Sequence, residues 1–172
     1  MKNIVLLGFM GSGKSSVGRI LSKRLQRPFI DTDHKKEKDH GKKIPEIFGE
    51  CGEEGFRKIE QDTIAEVSRM EGAIISTGGG SVLRKANVDA LRKNGILITL
   101  TASPEVIIER VSRKKNRPLL NRPDRDEFIH KLMEERKPFY NVADLILDTS
   151  GNELHDVTRR IIGYLLRRGE LK

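Results

Sequence analysis

The chain has 172 residues, of which 36% are hydrophobic and 34% charged, with a formal net charge of +8. That length suits one domain with a substantial core, and the composition is too apolar for a disordered chain. No apolar run reaches the length of a membrane span, and Cys51, the single cysteine, excludes an intrachain disulfide.

The first apolar run, residues 3–7, is short enough for a buried parallel strand. It starts almost at once, leaving no room for a signal peptide, so a cytoplasmic protein is expected. Gly8-Phe9-Met10-Gly11-Ser12-Gly13-Lys14-Ser15 follows, and then a helical pattern over 16–26 with Val17, Ile20, Leu21 and Leu25 on one face. Strand, glycine loop and helix form the context in which this motif binds a nucleoside triphosphate. Backbone N–H groups converge on phosphate oxygens there, and the helix terminus adds partial positive charge. Gly11, Ser12, Gly13, Lys14, Ser15 and Ser16 are the candidate contacts. Lys14 reaches the β/γ-phosphates, and the Ser15 hydroxyl is placed to coordinate Mg²⁺. A plain glycine turn would have no use for the Lys-Ser pair.

Further strands are predicted at 28–31, 72–76, 96–101 and 144–147, alternating with helices. This is the pattern of an α/β fold with a five-stranded parallel sheet flanked by helices. Before the third strand, residues 54–70 repeat apolar side chains at Phe56, Ile59, Thr63 or Ile64, Val67 and Met70. Pro104 fits the first turn of a helix carrying Val106, Ile107 and Val111. The last helix aligns Leu154, Val157, Ile161 and Leu165 and ends near Gly169. No repeat or linker divides residues 1–172, so a single domain is expected. Two segments break the alternation, 33–57 and the basic 112–125. Insertions at the carboxyl ends of strands sit where open α/β sheets place ligands, so these are read as a second-substrate platform and a mobile lid.

Phosphoryl transfer needs a cradle, a metal, an oriented nucleophile and exclusion of water. Asp31 and Asp33 flank the rim of the second strand. One suits metal-bound water and the other the attacking hydroxyl, while Asp33 also reads as a helix N-cap. Ser76-Thr77-Gly78-Gly79-Gly80 ends the third strand, and three glycines allow close backbone approach to a ligand or form a wide turn. Ser76 stands where an acidic residue is usual, which leaves part of the metal work to Asp31. Arg57 and Arg136 suit bidentate grip of a carboxylate, although any surface helix carries such arginines. Arg117, in the basic segment, suits stabilisation of the transferring phosphoryl group. The histidines, Cys51, Phe139 and Tyr140 read as surface or packing residues.

Together these runs resemble the shikimate kinases over essentially the whole length. The matching residues are the phosphate loop, Asp31-Thr32-Asp33, Ile44-x-x-Ile47-Phe48, Gly52-Glu53-x-x-Phe56-Arg57-x-x-Glu60, Ile74-Ile75-Ser76-x-Gly78-Gly79-Gly80 and Arg117-Pro118-Leu119-Leu120. The resemblance implies a three-layer P-loop kinase fold with a shikimate-binding subregion over 32–60 and a mobile lid over 112–125. It implies transfer from ATP, with Mg²⁺, to the 3-hydroxyl of shikimate. Lys14 and Ser15 would serve ATP and the metal, with Asp31 beside it. Asp33, Arg57, Gly78, Gly79, Gly80 and Arg136 would contact shikimate, walled by Phe48 and Phe56, with Asp33 taking the hydroxyl proton. Arg117 would reach the phosphates and Arg110 the adenine. Lys36 and Lys38 depart from the family pattern, which usually shows an apolar residue soon after the second aspartate. Past Ser150 the match fades.

Kinases of gluconate or nucleoside monophosphates share this architecture and are the alternative reading. A basic nucleotide-dependent nucleic-acid module is a third, but the chain offers six Phe, two Tyr and no Trp, and no stacking motif. The expected partner is therefore a small molecule, without nucleic acid or membrane, and a monomer is expected.

Overall fold

Five consecutive buried residues form β1 (Asn3–Leu7), as expected of a strand covered on both faces. In the computed structural model the structure describes residues 1–113 and 122–171. The remaining strands are β2 (Phe29–Asp31), β3 (Ile74–Ser76), β4 (Gly95–Thr101) and β5 (Leu145–Asp148), all within one or two residues of the predicted runs. They pair in parallel in the order β2-β3-β1-β4-β5. Register puts Ser76 level with Asp31 on one side and Leu6 on the other, so three strands end on one rim.

The helices are α1 (Lys14–Leu25), α2 (Thr32–His40), α3 (Ile44–Val67), α4 (Lys85–Lys93), α5 (Pro104–Ser112), α6 (Arg125–Tyr140) and α7 (Leu154–Arg167). Alternate sheet residues feed two cores. Ile4, Leu6, Ile74 and Ile98 pack with Val17, Leu21, Val157 and Ile161 of α1 and α7. Val5, Leu7, Ile75 and Leu97 pack on the other face with Ile64, Val67, Leu91, Ile107 and Ile129. The result is three layers, helix–sheet–helix. No helix of the described residues is long and apolar enough to cross a membrane.

The expectations for Asp33 and for the buried stripe of the long helix need correction. Asp33 does not cap α2. Asp31 does, accepting from the Asp33 and His34 N–H groups at 3.0 and 3.3 Å, so Asp33 is helical and the two carboxylates are not paired along a strand. The long helix is interrupted at Gly52, in keeping with a helical pattern that begins at residue 54, and the glycine's φ of 68° turns the preceding segment (Phe48 included) onto its own heading. Its buried stripe runs through Phe56, Glu60, Thr63, Ile64 and Val67, whereas Met70 lies past the helix end and is exposed. Of the two residues that depart from the family pattern, Lys36 has a fully buried side chain, while Lys38 is exposed.

Candidate active site

The loop between β1 and α1 holds Gly11 and Gly13 at φ of 77° and 99°, a region that other L-residues rarely enter. Gly13 begins α1 without any side-chain cap, so the first helical N–H groups face the loop's hollow. Ser12 Oγ is buried there without a hydrogen-bond partner among the described residues, and the Lys14 ammonium donates to the Gly8 and Phe9 carbonyls at 2.7 and 3.1 Å. An orphaned buried hydroxyl, uncapped N–H groups and a buried ammonium are complementary to phosphate oxygens. Arg110, expected at the base, donates to the Gly11 carbonyl at 3.1 Å and to Thr149 Oγ1 and carbonyl at 2.9 and 3.0 Å. It anchors the loop to the end of β5.

Beside the loop, Ser15 Oγ donates to Asp31 Oδ2 at 2.7 Å and lies 3.4 Å from Ser76 Oγ. These oxygen donors fit Mg²⁺, which is commonly held by one or two protein groups together with phosphate and water. The register brings Asp31 at the end of β2 level with Ser76 at the end of β3.

A cleft of about 400 Å³ opens on the same rim. It brings together Asp33, Phe48, Phe56, Arg57, Gly78, Gly79, Gly80 and Arg136, every acceptor residue expected from the sequence. Phe48 and Phe56 form one wall, with ring centroids 5.5 Å apart. The glycines form the floor, and at Gly78 and Gly80 a side chain would press on the groups that line the cleft. A Cβ on Gly78 would stand 2.9 Å from Asp33 Oδ1, and one on Gly80 would stand 2.5 Å from Arg57 Nη1. Arg57 is held by Glu60 at 2.7 Å. Arg136 lies with its guanidinium carbon 5.8 Å from the Phe9 ring centroid and comes close to Gly79. Arg117 and most of the expected lid lie outside the described residues.

Three residues escaped the sequence reading. Glu60 lines the cleft although only 2% of its side chain is exposed, and Lys36 lies behind it. Tyr140, read as packing, is buried but also donates its hydroxyl to the Gly79 carbonyl at 2.6 Å, pinning the middle of the glycine floor. Burial pushes this phenol up to about 12, opposed by the neighbouring charges of Arg136 and Arg57. Its position four residues after Arg136 on α6, on the same helical face, was the available signal.

The family model described as "Shikimate kinase" matches residues 10–166, so the likeness continues well beyond Ser150. A shikimate kinase of Pelotomaculum thermopropionicum is 50% identical over 165 residues, covering 96% of each chain. One from Caldanaerobacter subterraneus subsp. tengcongensis is 46% identical over 170 residues, covering 98% of this chain and 99% of the relative. Among solved structures, the shikimate kinase of Acinetobacter baumannii in complex with shikimate superposes with a TM-score of 0.93 at 35% identity, covering 100% and 96% of the two chains. The likeness spans the phosphate loop, the acceptor cleft and the last helix alike, and the chain belongs to the shikimate kinase family.

Proposed function

We propose that this chain transfers the γ-phosphoryl group of ATP to the 3-hydroxyl of shikimate, giving ADP and shikimate 3-phosphate. One observation carries the reading: a carboxylate, two guanidinium groups and a glycine floor share a cleft beside the phosphate loop. Arg57 and Arg136 approach from different helices and suit the acid's carboxylate, which fixes the ring. Asp33 reaches the ring hydroxyls and takes the proton as the 3-hydroxyl oxygen attacks phosphorus and the ADP oxygen leaves. Lys14 and the N–H groups at the start of α1 stabilise charge on the phosphates. Ser15 and Asp31 are the residues suited to hold Mg²⁺, which when bound neutralises charge on the β- and γ-phosphate oxygens. Arg110 flanks the nucleotide, and Arg117 is assigned to the phosphates by resemblance. The enzyme is taken to act in the cytoplasm, as a monomer that needs neither nucleic acid nor membrane.

Coupled ADP-release assays with shikimate, gluconate and the common nucleoside monophosphates test the acceptor. Stimulation by shikimate alone is the expected result. Stimulation by another acceptor without response to shikimate overturns the substrate assignment.

A further inference from the structure

Four charged groups of alternating sign run behind and along the acceptor cleft. The Lys36 ammonium is 2.9 Å from Asp33 Oδ1 and 3.2 Å from Glu60 Oε2, and Glu60 Oε1 is 2.7 Å from Arg57 Nη1. The ammonium also sits 4.5 Å from the Phe56 ring centroid, a cation–π contact with the cleft wall. Asp33, Glu60, Arg57 and Phe56 line the cleft, and Lys36 does not. Burying an ammonium completely is costly, so such a group persists only where its partners compensate. Each of its three partners among the described residues is part of the cleft.

We propose that Lys36 is a positioning residue for the acceptor. It fixes the Asp33 carboxylate over Gly78 and, through Glu60, couples that carboxylate to Arg57. The side chain of Asp33 is 49% exposed, so without Lys36 it is free to rotate into water. Arg57, by contrast, retains Glu60 whether or not Lys36 is present. Loss of Lys36 therefore disorders the hydroxyl end of the acceptor site more than the carboxylate end. The inference rests on the proposed roles of Asp33 and Arg57 towards shikimate.

The test compares wild type, Lys36→Met, Asp33→Asn and the double variant by steady-state kinetics with shikimate and ATP. Lys36→Met is expected to lower kcat about tenfold or more, while KM for shikimate changes less and KM for ATP stays within about twofold. In the Asp33→Asn background the same substitution is expected to cost less than about threefold, because its effect runs through the lost carboxylate. A purely structural role would lower the thermal midpoint and carry its full cost into either background. Where Lys36→Met does not fold, Lys36→Gln, which keeps a hydrogen-bond donor without the charge, takes its place. Unchanged kcat, or a full additive loss in the Asp33→Asn background, overturns the proposal, as does failure of both Lys36 variants to fold. Absence of shikimate turnover by wild type, or wild-type activity in Asp33→Asn, instead overturns the acceptor reading beneath it.

Discussion

At Gly80 the space for one hydrogen and the space for one methyl group separate two outcomes. A Cβ there would approach Arg57 Nη1, Nη2 and Cζ to 2.5, 2.7 and 2.9 Å. The atoms it meets are the far end of a flexible side chain, so the guanidinium gives way before the backbone does. Gly80→Ala is therefore expected to cost little stability, under about 1 kcal/mol, because a flexible side chain yields and no backbone has to shift. Its effect falls on the acceptor: a displaced Arg57 no longer meets the acid's carboxylate, and KM for shikimate should rise about tenfold while kcat changes less. Thermal melts and initial rates on the same preparation check both halves. An unchanged KM would remove Arg57 from the carboxylate site.

Among the elements, α1 sets the angle between the phosphate loop and the rim of β2. Gly18, buried on α1, faces the Phe29 ring, and a Cβ at that position would stand 2.3 Å from Phe29 Cε2. The ring is partly buried against the core of α1 and α7, so it has to turn out towards solvent to make room. Gly18→Ala is expected to destabilise by roughly 1–3 kcal/mol through overpacking, despite alanine's better helix propensity. Urea unfolding checks this, and a more stable variant would mean that propensity outweighs the clash. Elements of this kind were legible in the sequence because each strand is a short apolar run and each helix has one apolar face. The phosphate loop was legible for a different reason: its residue types have few uses outside phosphate binding. Legibility failed where an interaction depends on distant partners. Nothing local announces that Lys36 is buried, since the compensating Glu60 is 24 positions away on another helix. For the same reason Glu60, not Ile59, continues the buried stripe. The cap falls to Asp31 and not to Asp33, because both suit an N-cap and only the observed start of α2 distinguishes them.

For the whole molecule, Tyr140 links three regions that the sheet alone does not hold together. Its hydroxyl binds the Gly79 carbonyl at 2.6 Å, and its own carbonyl accepts from Thr99 Oγ1 of β4 at 2.7 Å, so α6 is tied to the sheet and to the cleft floor. With the buried phenol raised to about 12 against about 10 for an exposed one, the folded state favours the protonated form. Stability from this group is thus fully present below pH 10 and is lost as the pH rises through 12. Integrated over that window the loss is roughly 3 kcal/mol. Tyr140→Phe leaves the Gly79 carbonyl without its donor and should cost about 1 kcal/mol near neutral pH. It also removes the titrating group, so its disadvantage should shrink above pH 10 and reverse near about pH 11. Other groups titrate in the same range, which makes the difference between the two proteins the informative quantity. Urea midpoints for both at intervals from pH 8 to 12 measure it. Curves that stay parallel throughout would mean that the phenol ionises as freely in the folded chain as in the unfolded one, and would remove Tyr140 as a buried hydrogen-bonded tie between α6 and the glycine floor.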